Sequence, residues 1–109
     1  MVRNHTSPAE LSNVLDELRG NIDRIDNYLL ELLSERMDIA QRIGQYKKDN
    51  DVTILQTSRW DEIVKDRVKT GNSKELTETF VKEMFDAIHQ ESIRKQTTIM
   101  LAKNDEVKA

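Results

Sequence analysis

The sequence predicts an all-α fold: three helices per chain, one of them very long, in an intertwined two-fold helical dimer. Three observations carry this expectation. Apolar residues recur at Leu11, Leu15, Leu18, Ile22, Ile25, Leu29 and Leu32, and then at Ala40 and Ile43. The early steps alternate four and three, the spacing by which a helix buries one seam against another helix. With Gly 3 and Pro 1 in 109 residues, the chain has few natural breaks, so its elements should be few and long. The first uninterrupted stretch, about 40 residues at 1.5 Å each, makes a rod of roughly 60 Å. A compact domain of this size is only about 30 Å across by the usual scaling. A lone chain cannot cover such a rod, and a two-fold partner is the simplest cover.

The first helix is expected from Pro8 to Lys48. Ser7-Pro8-Ala9-Glu10 is a start signal: Ser7 as cap, Pro8 at the first helical position, and Glu10 reaching back to the cap. Gly20 and Gly44 are its weak formers, each costing about 1 kcal/mol relative to Ala. Lys47 and Lys48 suit a helix C-terminus, and Asp49-Asn50-Asp51 ends it. Val52-Thr53-Ile54-Leu55 has no partner strand and reads as a packed loop. A second helix is expected from Thr57 or Ser58 to about Thr70, with Ile63, Val64 and Val68 inward and Gly71-Asn72 as the turn. A third begins between Ser73 and Thr77, where several caps compete. Its stripe is Phe80 or Val81, then Met84, Phe85 and Ile88, continued by the polar Ser92 and Gln96. The ends, 1–6 and 102–109, read as flexible tails of a single domain spanning 1–109.

Composition narrows the function. Charged residues make up 34% and the net charge is -3, with both signs interleaved. A nucleic-acid or membrane-surface binder needs a basic face that this pattern does not provide. No apolar run approaches the roughly 20 residues of a membrane span, and the N-terminus carries no apolar signal region. A cytoplasmic protein is expected. There is no cysteine, so neither a disulfide framework nor a thiolate metal site is expected, and His5 and His89 show no metal-ligand spacing.

Two cations interrupt the apolar stripe of the first helix. Arg36 falls four residues after Leu32, and Lys47 four after Ile43, both where an apolar residue is due. A cation on a buried stripe is costly unless an anion meets it. Eleven residues separate the two, about 20° of rotation and roughly 16 Å of rise, so two long side chains can converge on one small ligand. Ser92 and Gln96, one turn apart on the third helix, can close the other side. Arg19 lies about 25 Å up the rod from Arg36 and is rotated by roughly 100°. It cannot serve the same ligand within one chain, but in an antiparallel two-fold pair the partner's Arg19 can. Arg59 opens the second helix near the end of the first. Taken singly, each residue has a plainer reading: a structural ion pair for Arg36, dipole compensation for Lys47, a core-edge amide for Gln96, solvated or surface-paired arginines at 19 and 59. Taken together they describe a cationic pocket with an amide and a hydroxyl. Such a pocket suits a dicarboxylate held in one conformation, with charge stabilised as it develops on an oxygen.

The stretch LDELRGNIDRIDNYLLELLSERMDIAQRIGQYKK resembles the first helix of the all-helical chorismate mutases. The shared pattern is L-R-x-x-I-D-x-I-D, then L-L-x-E-R, then I-G-x-x-K, and it continues through Arg59 and through I-H-Q-E-S-I-R-K-Q at 88–96. The resemblance covers about Leu11 to Met100. It implies isomerisation of chorismate to prephenate, a pericyclic [3,3] rearrangement on the way to phenylalanine and tyrosine, without a cofactor. It also implies site roles. Arg36 and the partner's Arg19 hold the two carboxylates, Lys47 and Gln96 donate to the ether oxygen, Arg59 supports the carboxylate and hydroxyl region, and Ser92 contacts a carboxylate.

Two positions depart from the family pattern. Many members carry a glutamate after the second-helix arginine, recognising the ring hydroxyl; here Trp60 stands there. Many carry an aspartate three residues before that arginine; here it is Gln56, a candidate contact for the hydroxyl. The departure keeps an isochorismate pyruvate lyase on the same fold as an alternative, and a non-catalytic helical dimerisation or regulatory domain as a third reading. The segment VTILQTSRWDEI looks most like mutase domains fused to the DAHP synthase of the shikimate pathway, so fusion to or association with that enzyme is a further expectation.

Overall fold

In the computed structural model, which describes residues 7–55 and 57–102, three α-helices follow one another: α1 (Pro8–Asp49), α2 (Thr57–Ser73) and α3 (Glu78–Leu101). No strand occurs among the described residues, and the 52–55 segment is the expected loop, with Val52 and Ile54 half-buried. The expected tail at 1–6, and that at 102–109 beyond Ala102, lie outside the described residues, as does Gln56.

α1 begins where the start signal puts it. The Glu10 amide, an orphan donor of the first turn, donates to Ser7 Oγ at 3.1 Å, and the Leu11 amide makes the first bond of the helix to the Ser7 carbonyl at 2.9 Å. Its end is a Schellman closure. The Val52 amide donates to the Lys47 carbonyl at 2.8 Å and the Asp51 amide to that of Lys48 at 3.5 Å, with Asp51 left-handed at φ 55. That place usually takes glycine or asparagine; aspartate also tolerates it.

Contacts divide the chain into two units, Met1–Glu35 and Arg36–Ala109. The described part of the first unit is α1 from its cap to Glu35. Its apolar stripe is exposed: Ile22 is 57% and Leu32 61% accessible. The second unit holds the end of α1 with α2 and α3. Its packing centres on Ala40 and Val81, both buried, with Ile63, Val64, Val68, Met84, Phe85 and Ile88 half-buried. Of the two candidates for the start of the α3 stripe, Val81 faces inward and Phe80 is 50% exposed.

The end of α2 differs from the expectation. Gly71-Asn72 is not the turn; α2 continues to Ser73. The turn falls at Lys74–Leu76, where the Leu76 amide donates to the Gly71 carbonyl at 3.0 Å and the Glu75 amide to that of Asn72 at 3.1 Å. Glu75 takes the left-handed conformation, φ 64. Gly71 is needed inside the helix instead. A Cβ there would stand 2.5 Å from Val81 Cγ2, so the glycine lets α2 and α3 approach. Among the competing caps of α3, Thr77 is the one used, its Oγ1 accepting from the Phe80 amide at 3.4 Å.

Candidate functional site

A cleft of about 410 Å³ lies within the second unit, lined from α1 by Arg36, Ile39, Ala40, Ile43 and Lys47, from α2 by Arg59, Ile63 and Arg67, and from α3 by His89, Ser92 and Gln96. Its size falls within the roughly 300–1,000 Å³ of small-molecule pockets. Five of the residues singled out from sequence, Arg36, Lys47, Arg59, Ser92 and Gln96, line this one cleft. Arg19 belongs to the first unit, where it is exposed and stands 3.9 Å from Asp16. Gln56 lies outside the described residues.

Helix periodicity explains the convergence. Ile39, Ile43 and Lys47 stand at steps of four on α1, Arg59, Ile63 and Arg67 at steps of four on α2, and His89, Ser92 and Gln96 at steps of three and four on α3. Each set therefore occupies one helix face. α1 and α3 meet closely because Gly44 is buried between them: a Cβ there would lie 2.9 Å from Gln96 Cα and 3.2 Å from its Cβ.

The polar groups are organised in two hydrogen-bonded pairs. Arg36 Nη1 donates to Ser92 Oγ at 2.9 Å, and that hydroxyl donates to the Ile88 carbonyl at 3.0 Å. Lys47 Nζ donates to the Ile54 carbonyl at 2.9 Å and to Gln96 Oε1 at 3.0 Å. Ser92 and Gln96 are buried, at 7% and 9% exposure, and these bonds satisfy polar atoms that would otherwise be costly to bury. Lys48 reaches elsewhere than the end of its own helix: its ammonium donates to the Ile99 carbonyl at 3.3 Å and to that of Ala102, so it ties α1 to the C-terminus of α3.

Electrostatically the cleft is one-signed. Arg36, Lys47, Arg59 and Arg67 line it, and among the described residues no carboxylate does. Burial, and then the nearby Arg67 guanidinium, lowers the pKa of Arg36. Burial lowers that of Lys47. Both shifts mean that the cationic form lacks compensation, a deficit that an anionic ligand supplies. Arg67 pairs with Asp66, and its guanidinium carbon lies 5.8 Å from the centre of the Phe85 ring, within cation–π range. The His89 ring stacks on Trp60, with centroids 3.8 Å apart and planes inclined by 12°. Burial lowers the His89 pKa; Asp86 opposes this and Arg36 adds to it.

Sequence reasoning missed Arg67 and His89. A signal for each was present, since Arg67 continues the Arg59–Ile63 line and His89 precedes Ser92 by three. What the cleft offers is several charge-assisted donors fixed around a small volume, with an imidazole at one side. That arrangement fits an anion with two or more oxygen groups.

Known proteins share the chain's sequence pattern. The family model for chorismate mutase type II matches residues 18–97. A 4-amino-4-deoxychorismate mutase from Streptomyces pristinaespiralis is 30% identical over 89 residues, which is 82% of this chain and 69% of that protein. A protein of the same name from Streptomyces venezuelae is 33% identical over 89 residues, 81% of this chain and 85% of the relative. A bifunctional chorismate mutase/prephenate dehydratase from Aquifex aeolicus is 37% identical over 79 residues, 72% of this chain but 22% of that longer protein. The second activity in this fused relative is a prephenate dehydratase, where the sequence led us to expect a DAHP synthase. With the family model covering most of the chain and every step of the three-helix pattern present, the chain belongs to the type II chorismate mutases, enzymes of the isomerase class.

Proposed function

We propose that the cleft binds chorismate and converts it to prephenate by the [3,3] rearrangement, in the cytoplasmic route to phenylalanine and tyrosine. The observation that carries the reading is the Lys47–Gln96 pair. Because Gln96 Oε1 faces the Lys47 ammonium, the amide has its N–H groups free to donate to a ligand. Lys47 and Gln96 then present two donors to one oxygen, the ether oxygen on which negative charge grows as its bond to carbon breaks. Loss of one such donor typically costs about 10²–10³ in kcat. Arg36, held by Ser92, grips one carboxylate, and Arg59 supports the carboxylate and hydroxyl region. Binding the enolpyruvyl arm over the ring addresses the entropic part of the barrier, since the reaction needs one compact conformer. No proton transfer or covalent intermediate is required.

The second carboxylate is taken by Arg19 of a second copy. Support comes from the exposed apolar stripe of Met1–Glu35, on which Ile22, Ile25, Leu29 and Leu32 are all about half exposed or more. An unpartnered stripe of this length is a dimerisation face in the making. On this reading the functional unit is a homodimer, and chain 1–109 acts as one mutase domain. Among the described residues no helix is long and apolar enough to cross a membrane.

A second reading takes 4-amino-4-deoxychorismate as the substrate, as the names of two relatives suggest. The charge of the cleft weighs against it. An allylic amine is largely protonated at neutral pH, and four lining cations with no carboxylate among the described lining residues disfavour an ammonium. Purified protein assayed with each substrate decides. Prephenate formation from chorismate at the higher kcat/KM supports the proposal. A preference for the amino substrate, or pyruvate released from isochorismate in its place, overturns it.

A further inference from the structure

We infer that His89 is the residue that selects for the ring hydroxyl of the substrate, accepting a hydrogen bond from it across the cleft; this rests on the mutase reading above. The inference comes from an inventory of what the lining side chains can still accept. Arg36, Lys47, Arg59 and Arg67 are donors only. Gln96 Oε1 is engaged by Lys47 at 3.0 Å. Ser92 Oγ accepts from Arg36 at 2.9 Å and donates to the Ile88 carbonyl at 3.0 Å. Among the described lining side chains, the imidazole of His89 alone has an acceptor that takes no hydrogen bond at all, whereas Ser92 Oγ and Gln96 Oε1 each already accept one from a cation. Chorismate carries two carboxylates and an ether oxygen, all acceptors matched by the donors already described, and one hydroxyl, which needs an acceptor.

Geometry holds His89 for this task. It stands three residues before Ser92 and seven before Gln96 on α3, so it shares their face. Trp60, from α2, stacks on the ring at 3.8 Å and 12°, fixing its plane and leaving the ring edge, where both nitrogens lie, directed away from the stack. Neither ring nitrogen has a hydrogen-bond partner among the described residues. Burial lowers the pKa of the ring, which favours the neutral form in which one nitrogen accepts; Asp86 opposes this and Arg36 adds to it. Trp60 is thus a positioning residue, acting through its stack on His89.

The test compares chorismate with its 4-deoxy analogue, which lacks the hydroxyl, in wild type, His89→Phe and His89→Gln. Phenylalanine preserves the stack and removes both nitrogens; glutamine retains an acceptor. Wild type is expected to favour chorismate by about two- to tenfold, the usual worth of one hydrogen bond. His89→Phe should lose that preference by a lower kcat/KM for chorismate alone, while His89→Gln keeps part of it. Equal losses on both substrates in His89→Phe would mean a structural role and overturn the inference. Wild type that rearranges both substrates equally overturns it without any variant. Failure of wild type to rearrange chorismate at all refutes the mutase reading itself.

Discussion

Gly44→Ala should separate activity from stability. Gly44 is buried where α1 crosses α3, and an added Cβ would stand 2.9 Å from Gln96 Cα, 3.2 Å from its Cβ and 3.3 Å from its Cγ. Ordinary carbon contacts are about 3.5–4.0 Å, so Gln96 must retreat by roughly half an ångström to an ångström. Overpacking of this kind costs about 1–3 kcal/mol. Alanine in place of glycine within a helix returns about 1 kcal/mol. The net loss is then about 0–2 kcal/mol, a fall in Tm of about 15 °C at most for a domain of this size. Activity has no such offset. The displaced atoms carry the amide that shares a hydrogen bond with Lys47 at 3.0 Å, and a misplacement near 1 Å costs about 10²-fold in rate. We expect kcat for chorismate to fall by about that factor while the helical circular dichroism signal is retained. Initial rates followed by the loss of chorismate absorbance, beside a thermal melt, measure both. Wild-type kcat in a folded Gly44→Ala protein would refute the claim that this glycine sets the position of Gln96.

Two other predictions concern the cations. Burial lowers the pKa of Lys47, and the proposed donation to the ether oxygen calls for the ammonium form. The kcat/KM, which reports the free enzyme, should therefore decline as pH rises through a value below that of a free lysine, and an alkaline limb at or above the free-lysine pKa counts against the assignment. For the two-chain site, Arg19→Ala and Arg36→Ala proteins should each be inactive alone. Mixed under conditions of proven subunit exchange, they should regain part of the activity, because one site of each heterodimer keeps both arginines. No recovery would place Arg19 outside the site.

Much of the fold was legible in local chemistry. Ser7 and Pro8 mark the start of α1, and the four-three spacing from Leu11 to Leu32 marks a face that needs a partner. The two polar steps after Ile88 mark Ser92 and Gln96 as inward. These features depend on helix rotation, which fixes which residues share a face whatever else the chain does. The same rotation brought Arg36 and Lys47 together before any packing was known.

Other features depend on distances between helices, which periodicity does not contain. Gly71 looks like a turn residue in sequence, yet it sits inside α2 because Val81 Cγ2 occupies the space where its Cβ would be. Gly44 looks like a weak point in α1, yet it is where α1 and α3 touch. Lys47 and Lys48 are neighbours at one helix end, but one reaches Gln96 and the other the last carbonyls of α3. Arg67 and His89 enter the cleft only because α2 and α3 pack with those faces inward, and Trp60 finds His89 across the same contact. The sequence by itself determined three helices, a stripe that needs covering and a cationic face. Only the tertiary structure decided which donors are already paired, and so which acceptor the cleft has left to offer, because hydrogen bonds form over about 3 Å between atoms that are some 50 residues apart along the chain.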